Sequence, residues 1–209
     1  MKNFFNSENF LWQWFAHLAD YFLLSCMWLI CCIPVVTVGS ASIALYDTVA
    51  HCIRGKEPDM FRRFLRTFKN ELGRGIALTL VWALLAALLG AGYQIMTQAA
   101  AEHTEMALFQ MVYFFLLLLP LGVLCWAVAI ESRFTYSFAQ LHRMAVIFTF
   151  AHLPHTAAIV ALLVVQLNVL INFPFFAMFL PGMVVTFQSW FIEKVFSKYT
   201  PSEEAEAIE

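Results

Sequence analysis

Four runs without a charged side chain, residues 21–46, 75–101, 106–130 and 156–192, constrain this chain more than any other feature. A helix needs roughly 20 consecutive apolar residues to cross the ~30 Å hydrocarbon core of a bilayer, and each run reaches that length. The last is long enough for two crossings, with its natural break at Asn172-Phe173-Pro174, because proline removes a backbone donor and disfavours helix at the preceding residue. Five spans are therefore predicted, near residues 16–38, 76–97, 106–130, 156–172 and 175–192. The last two are short for a full crossing, so a re-entrant hairpin is the alternative there. The fold class that follows is all-α, a polytopic transmembrane helical bundle.

Composition agrees with that reading. Of 209 residues, 62% are hydrophobic and 12% charged, against roughly 25% charged in ordinary soluble domains. A soluble globule of this size leaves too much of its area in water to hide so much apolar surface, whereas lipid can cover it. The formal net charge of -2 offers no argument for nucleic acid. The five cysteines, Cys26, Cys31, Cys32, Cys52 and Cys125, lack framework spacing and read as free thiols. Lys2 precedes a long aromatic-rich stretch, but no small-residue cleavage site follows, so the N-terminus is expected to stay attached.

Orientation follows from lysine and arginine, which accumulate in cytoplasmic loops. Residues 39–74 carry Arg54, Lys56, Arg62, Arg63, Arg66, Lys69 and Arg74, while residues 98–105 carry Glu102 and Glu105 and no basic residue. The first segment is predicted inside and the second outside. Alternation then places residues 131–155 and the tail inside and the N-terminus outside, in an inner or cytoplasmic membrane. Trp12, Trp14 and Trp190 fall where amphipathic rings favour the headgroup region. Residues 201–209, with four glutamates and no aromatic residue, read as a short disordered end.

Both cytoplasmic connections are patterned as amphipathic helices, residues 60–74 and 133–150. In the first, Phe61, Phe64, Leu65, Phe68 and Leu72 share one face, and Arg62, Arg63, Arg66 and Lys69 the other. In the second, Phe134, Phe138, Leu141, Ala145 and Phe148 repeat the stripe with a weaker basic face. The basic helix, with Arg74 at its end, has two readings. It lies on anionic lipid with its aromatic face down, or it docks on a cytoplasmic protein, as short helices of transport permeases dock on their ATPases.

Pro34, Thr37 and Gly39 interrupt an apolar helix. They mark either a kink where the first span leaves the membrane or an unwound segment lining a pathway, where freed carbonyls need hydroxyls or water. Asp20, Glu131 and Glu193 fall at predicted span ends, which weighs against proton-driven pumping. Gln94, Gln166, Asn168, Asn172 and Gln188 are expected to bond helix to helix, with contact to a sugar as the alternative. Glu102-His103-Thr104-Glu105 and the pair His152 and His155 lack the three or four supported ligands of a zinc site. No nucleophile elbow or phosphate loop occurs, so no catalytic, cofactor or metal residues are assigned and no enzyme is expected.

Phe5-Asn6-Ser7-Glu8-Asn9, Leu18-Ala19-Asp20, Trp28-Leu29, the Pro34 to Gly39 stretch, Ala44-Leu45-Tyr46 and the Phe64 to Lys69 stretch occur in an order that resembles the YesL family of bacterial integral membrane proteins. The resemblance covers nearly the whole chain, and the first 75 residues carry its specificity. It supplies no activity and no site residues. Its members tend to be encoded beside carbohydrate ABC transporter components and polysaccharide-degrading enzymes, which implies an accessory part in sugar uptake. Cys31 and Cys32 depart from the small or apolar residues expected there. The function expected is thus a non-enzymatic membrane protein accessory to ABC-type carbohydrate uptake, with lipid and transporter components as partners. The alternative is a small transporter with a pathway near Pro34, Thr37 and Gly39.

Overall fold

A computed structural model describes residues 10–55, 57–102, 104–134 and 136–199. Its eight α-helices are α1 (Phe10–Cys32), α2 (Val38–Thr48), α3 (Met60–Asn70), α4 (Leu72–Glu102), α5 (Ala107–Arg133), α6 (Phe138–Ala151), α7 (Leu153–Asn172) and α8 (Leu180–Phe196). Among the described residues there is no strand, and the fold is an all-α bundle. The tail at 201–209 and the side chains of Trp12 and Trp14 lie outside what is described.

Stretches 35–54, 72–101, 107–133 and 153–172 are long and apolar enough to cross a membrane. Several such helices suggest a membrane protein. Three of them are only 11–33% buried against protein, as helices that face lipid must be. The first is 67% buried, so protein surrounds it, not lipid.

That helix is the main departure from the sequence reading, which ran a first span to residue 38 and a cytoplasmic connection from 39 to 74. Pro34 does not kink one long helix. It ends α1 at Cys32, and a 3₁₀ turn at Val35–Thr37 starts a new helix. The Thr37 hydroxyl lies 2.6 Å from the Cys31 carbonyl and 2.7 Å from that of Pro34, satisfying acceptors freed by the break. The chain then doubles back, since Trp28 Nε1 donates to Ser42 Oγ across the turn at 3.3 Å. Every side chain from Ile43 to Ala50 is buried, and past α2 the helix widens into a π-helical turn at Val49–Arg54.

Glycine permits the close crossing of α2 and α4. A Cβ on Gly39 would overlap the Gly75 carbonyl, and one on Gly75 would overlap the backbone of Ser40. At this contact the Gly39 N–H donates to Thr79 Oγ1 at 2.8 Å, and the Thr79 hydroxyl donates to the Gly75 carbonyl at 2.8 Å. Small residues let helix backbones approach where lipid provides no hydrophobic drive. Around α2, α4 and α5 pair antiparallel through Tyr113 Oη donating to the Leu89 carbonyl at 3.0 Å. α5 meets α7 where Trp126 Nε1 donates to Thr156 Oγ1 at 3.0 Å, beside Gly122. α7 meets α8 where Gln188 Nε2 donates to the Ile159 carbonyl at 3.1 Å. One core of Trp126, Ile130, Leu141, Phe148, Ile192 and Phe196 joins α5, α6 and α8.

Replacing Gly39 or Gly75 by valine should push α2 off α4 and cost about 1–3 kcal/mol or more. Gly90→Ala meets no atom within 4 Å and should be neutral or slightly stabilising. Thermal unfolding in mild detergent separates these outcomes.

Candidate functional site

Beyond the π-helical turn, α3 runs antiparallel along α2. The register follows from Asp47, which meets Arg63 and Thr67; just past α3, Ser40 Oγ donates to the Leu72 carbonyl at the start of α4 at 3.3 Å. The aromatic stripe of α3 faces inward. Phe64 is fully buried in a cluster with Leu24, Met27, Ala44, Leu45 and Val49, and Met60, Leu65 and Phe68 pack at its edge. The apolar face that would otherwise seek lipid is therefore largely occupied by α1 and α2. Phe61, which stays exposed, is the exception.

A polar clasp locks the pair. Asp47, with 6% of its side chain exposed, accepts from Arg63 Nε at 2.9 Å and from Nη2 at 3.0 Å. Thr67 Oγ1 donates to the same carboxylate at 2.7 Å, and His51 Nδ1 lies 3.1 Å from Oδ1. The planar guanidinium suits a two-pronged grip on a carboxylate, and its remaining nitrogen meets Glu57. Partial burial opposes the charge of Arg63, but Asp47 and Glu57 more than offset it and raise its pKa above the ordinary arginine value.

The five basic residues singled out by sequence thus divide. Arg62, Arg66 and Lys69 point outward, with Arg62 only loosely held to Asp59 at 3.7 Å. Arg63 turns inward to the clasp. Arg74 is not part of the amphipathic helix, which ends at Asn70; it sits on α4 and donates to Glu131 at 3.1 Å. Pro34 is exposed and Thr37 half-buried in the turn, while Gly39 packs against Gly75 and also borders a cavity beside α2. The second amphipathic segment begins later than expected, at Phe138. Ser137 caps it with a box completed by Gln140, and Leu141, Ala145 and Phe148 are buried in the core.

Sequence reasoning missed Asp47 and the use made of Glu193. Glu193 accepts from Tyr46 Oη at 3.0 Å and pairs with Arg133 at 2.7 Å, which ties α2 to α5 and α8. A cavity of about 350 Å³ lies beside α2, bounded by Trp28, Ser42, Tyr46, Trp82, Gln166 and Gln188 among mostly aliphatic neighbours. Among the described residues no three His, Cys, Asp or Glu side chains converge as metal ligands.

A family model described as "Protein of unknown function, DUF624" matches residues 8–93, a stretch that contains the clasp and the Gly39–Gly75 crossing and stops within α4. No curated protein and no solved structure matches the chain.

Asp47→Ala should strand Arg63 and release α3. Removing one partner of a fully buried pair costs about 3–5 kcal/mol, and the partial exposure of Arg63 puts this case at or below the lower end. Amide exchange across residues 60–70 should rise sharply, and exchange in α7 should not.

Proposed function

We propose that this chain is a non-enzymatic membrane accessory protein that presents α3 as a rigid basic helix to an acidic surface on a cytoplasmic partner. The observation that carries the reading is the burial of Phe64 beside the Asp47 clasp, which leaves Arg62, Arg66 and Lys69 outward on a helix already fixed in place. A preorganised element loses little freedom on docking, and a basic patch steers an acidic partner toward it. A helix resting aromatic face down on lipid would instead keep that face free.

Three outward cations are not accommodated in hydrocarbon, so α3 and the α2 beside it lie at the membrane boundary. The excess of arginine and lysine in residues 54–74 over residues 98–105 supports the cytoplasmic side for that boundary. The resemblance to the YesL family supports a component of a carbohydrate ABC transporter, such as its ATPase, as the partner.

The cavity beside α2 favours a second reading, a small transporter. Its lining is mostly aliphatic and aromatic, whereas a sugar needs many placed hydrogen-bonding groups, so the accessory role is the better supported.

Changing Arg62, Arg66 and Lys69 together to glutamate should abolish recovery of transporter components by affinity capture in mild detergent while elution as a single folded species is kept. Unchanged recovery would refute the reading. Sugar flux into vesicles holding this protein alone would favour the transporter.

A further inference from the structure

Where the π-helical turn ends α2, a groove of about 510 Å³ opens between α1 and α8. Leu18 and Tyr21 form one wall, Met183, Phe187 and Trp190 the other, and Arg54 is the charged side chain that borders it. Arg54 differs from its neighbours in the bundle. Arg63, Arg74 and Arg133 each grip a carboxylate, but Arg54 is half-buried and donates through Nη1 to the Ser189 carbonyl at 2.8 Å, with no ion pair among the described residues. Partly desolvating a guanidinium without an anion is unfavourable, and its planar fork matches phosphate oxygens as well as it matches carboxylates.

The rest of the groove has the chemistry of a lipid tail. Leu18, Phe187 and Trp190 turn exposed apolar surface outward, and Tyr21 and Trp190 are the residue types that settle at the headgroup level. We infer that this groove holds one anionic phospholipid, its phosphate on Arg54 and an acyl chain along Leu18, Met183 and Phe187. The site is separate from the outward face of α3 and does not depend on the role proposed for that face. Bound lipid would fill the gap between α1 and α8 and supply the anion that Arg54 lacks.

The protein is reconstituted in vesicles of equal phosphatidylglycerol and phosphatidylethanolamine, extracted in mild detergent, and its retained lipid counted by mass spectrometry. Wild type should retain phosphatidylglycerol in clear preference to phosphatidylethanolamine. Arg54→Gln should lower that retention about tenfold, the loss of one charge-assisted contact, and Arg54→Lys should keep an intermediate amount. Met183→Trp, which fills the groove with Arg54 intact, should also lose the lipid, while Arg66→Gln should match wild type. A wild-type lipid ratio equal to that of the vesicles would overturn the inference. So would undiminished retention by Arg54→Gln or Met183→Trp, or an equal loss in Arg66→Gln, which would mark general surface attraction.

Discussion

The carboxylate of Asp47 governs the arrangement. It is almost wholly enclosed at the end of an apolar run, and a buried charge is tolerated only when it is paired and hydrogen-bonded. Arg63 and Thr67, one turn apart on α3, meet that need together. Because a buried ion pair sets which surfaces meet more reliably than it adds stability, its consequence here is register. With Arg63 and Thr67 held, Phe64 must enter the cluster between α1 and α2, and Arg62, Arg66 and Lys69 must face away.

The helix that carries Asp47 is long and apolar enough to cross a membrane, yet protein is its solvent. Its starting glycine lies against Gly75 with no room for a Cβ. Tyr46 binds the carboxylate that Arg133 also holds, and Arg54 reaches the backbone of α8. These contacts tie α2 to α4, α5 and α8, so α2 stands between the clasped basic helix on one side and the groove and cavity on the other. Asp47 and Arg54 stand about two turns apart along it.

Hydropathy located the helices that face lipid, because uncharged length is read directly from sequence, and the spacing of Phe61, Phe64, Leu65 and Phe68 located α3. It did not reveal α2. Residues 21–46 contain no charge, so nothing in composition separates the two helices on either side of Pro34, and Asp47, His51 and Arg54 made the second half of α2 resemble a loop. The Gly39–Gly75 contact joins residues far apart in sequence, which local pattern cannot report. For the clasp a signal was available. Arg63 and Thr67 flank the apolar stripe of α3 with the spacing of one helical turn, as Asp47 and His51 do on α2, and such matched pairs suit a shared carboxylate. Grouping Arg63 with the outward cations concealed it.

The arrangement requires the aromatic face of α3 to rest on protein and its basic face to meet water. Spin labels placed one at a time along residues 60–70, in reconstituted bilayers, measure this through collision with oxygen, which concentrates in lipid, and with a polar nickel chelate, which stays in water. Chelate maxima are expected at 62, 66 and 69, with low collision with both reagents at 64. An oxygen maximum at 64 would place that face in lipid and contradict it.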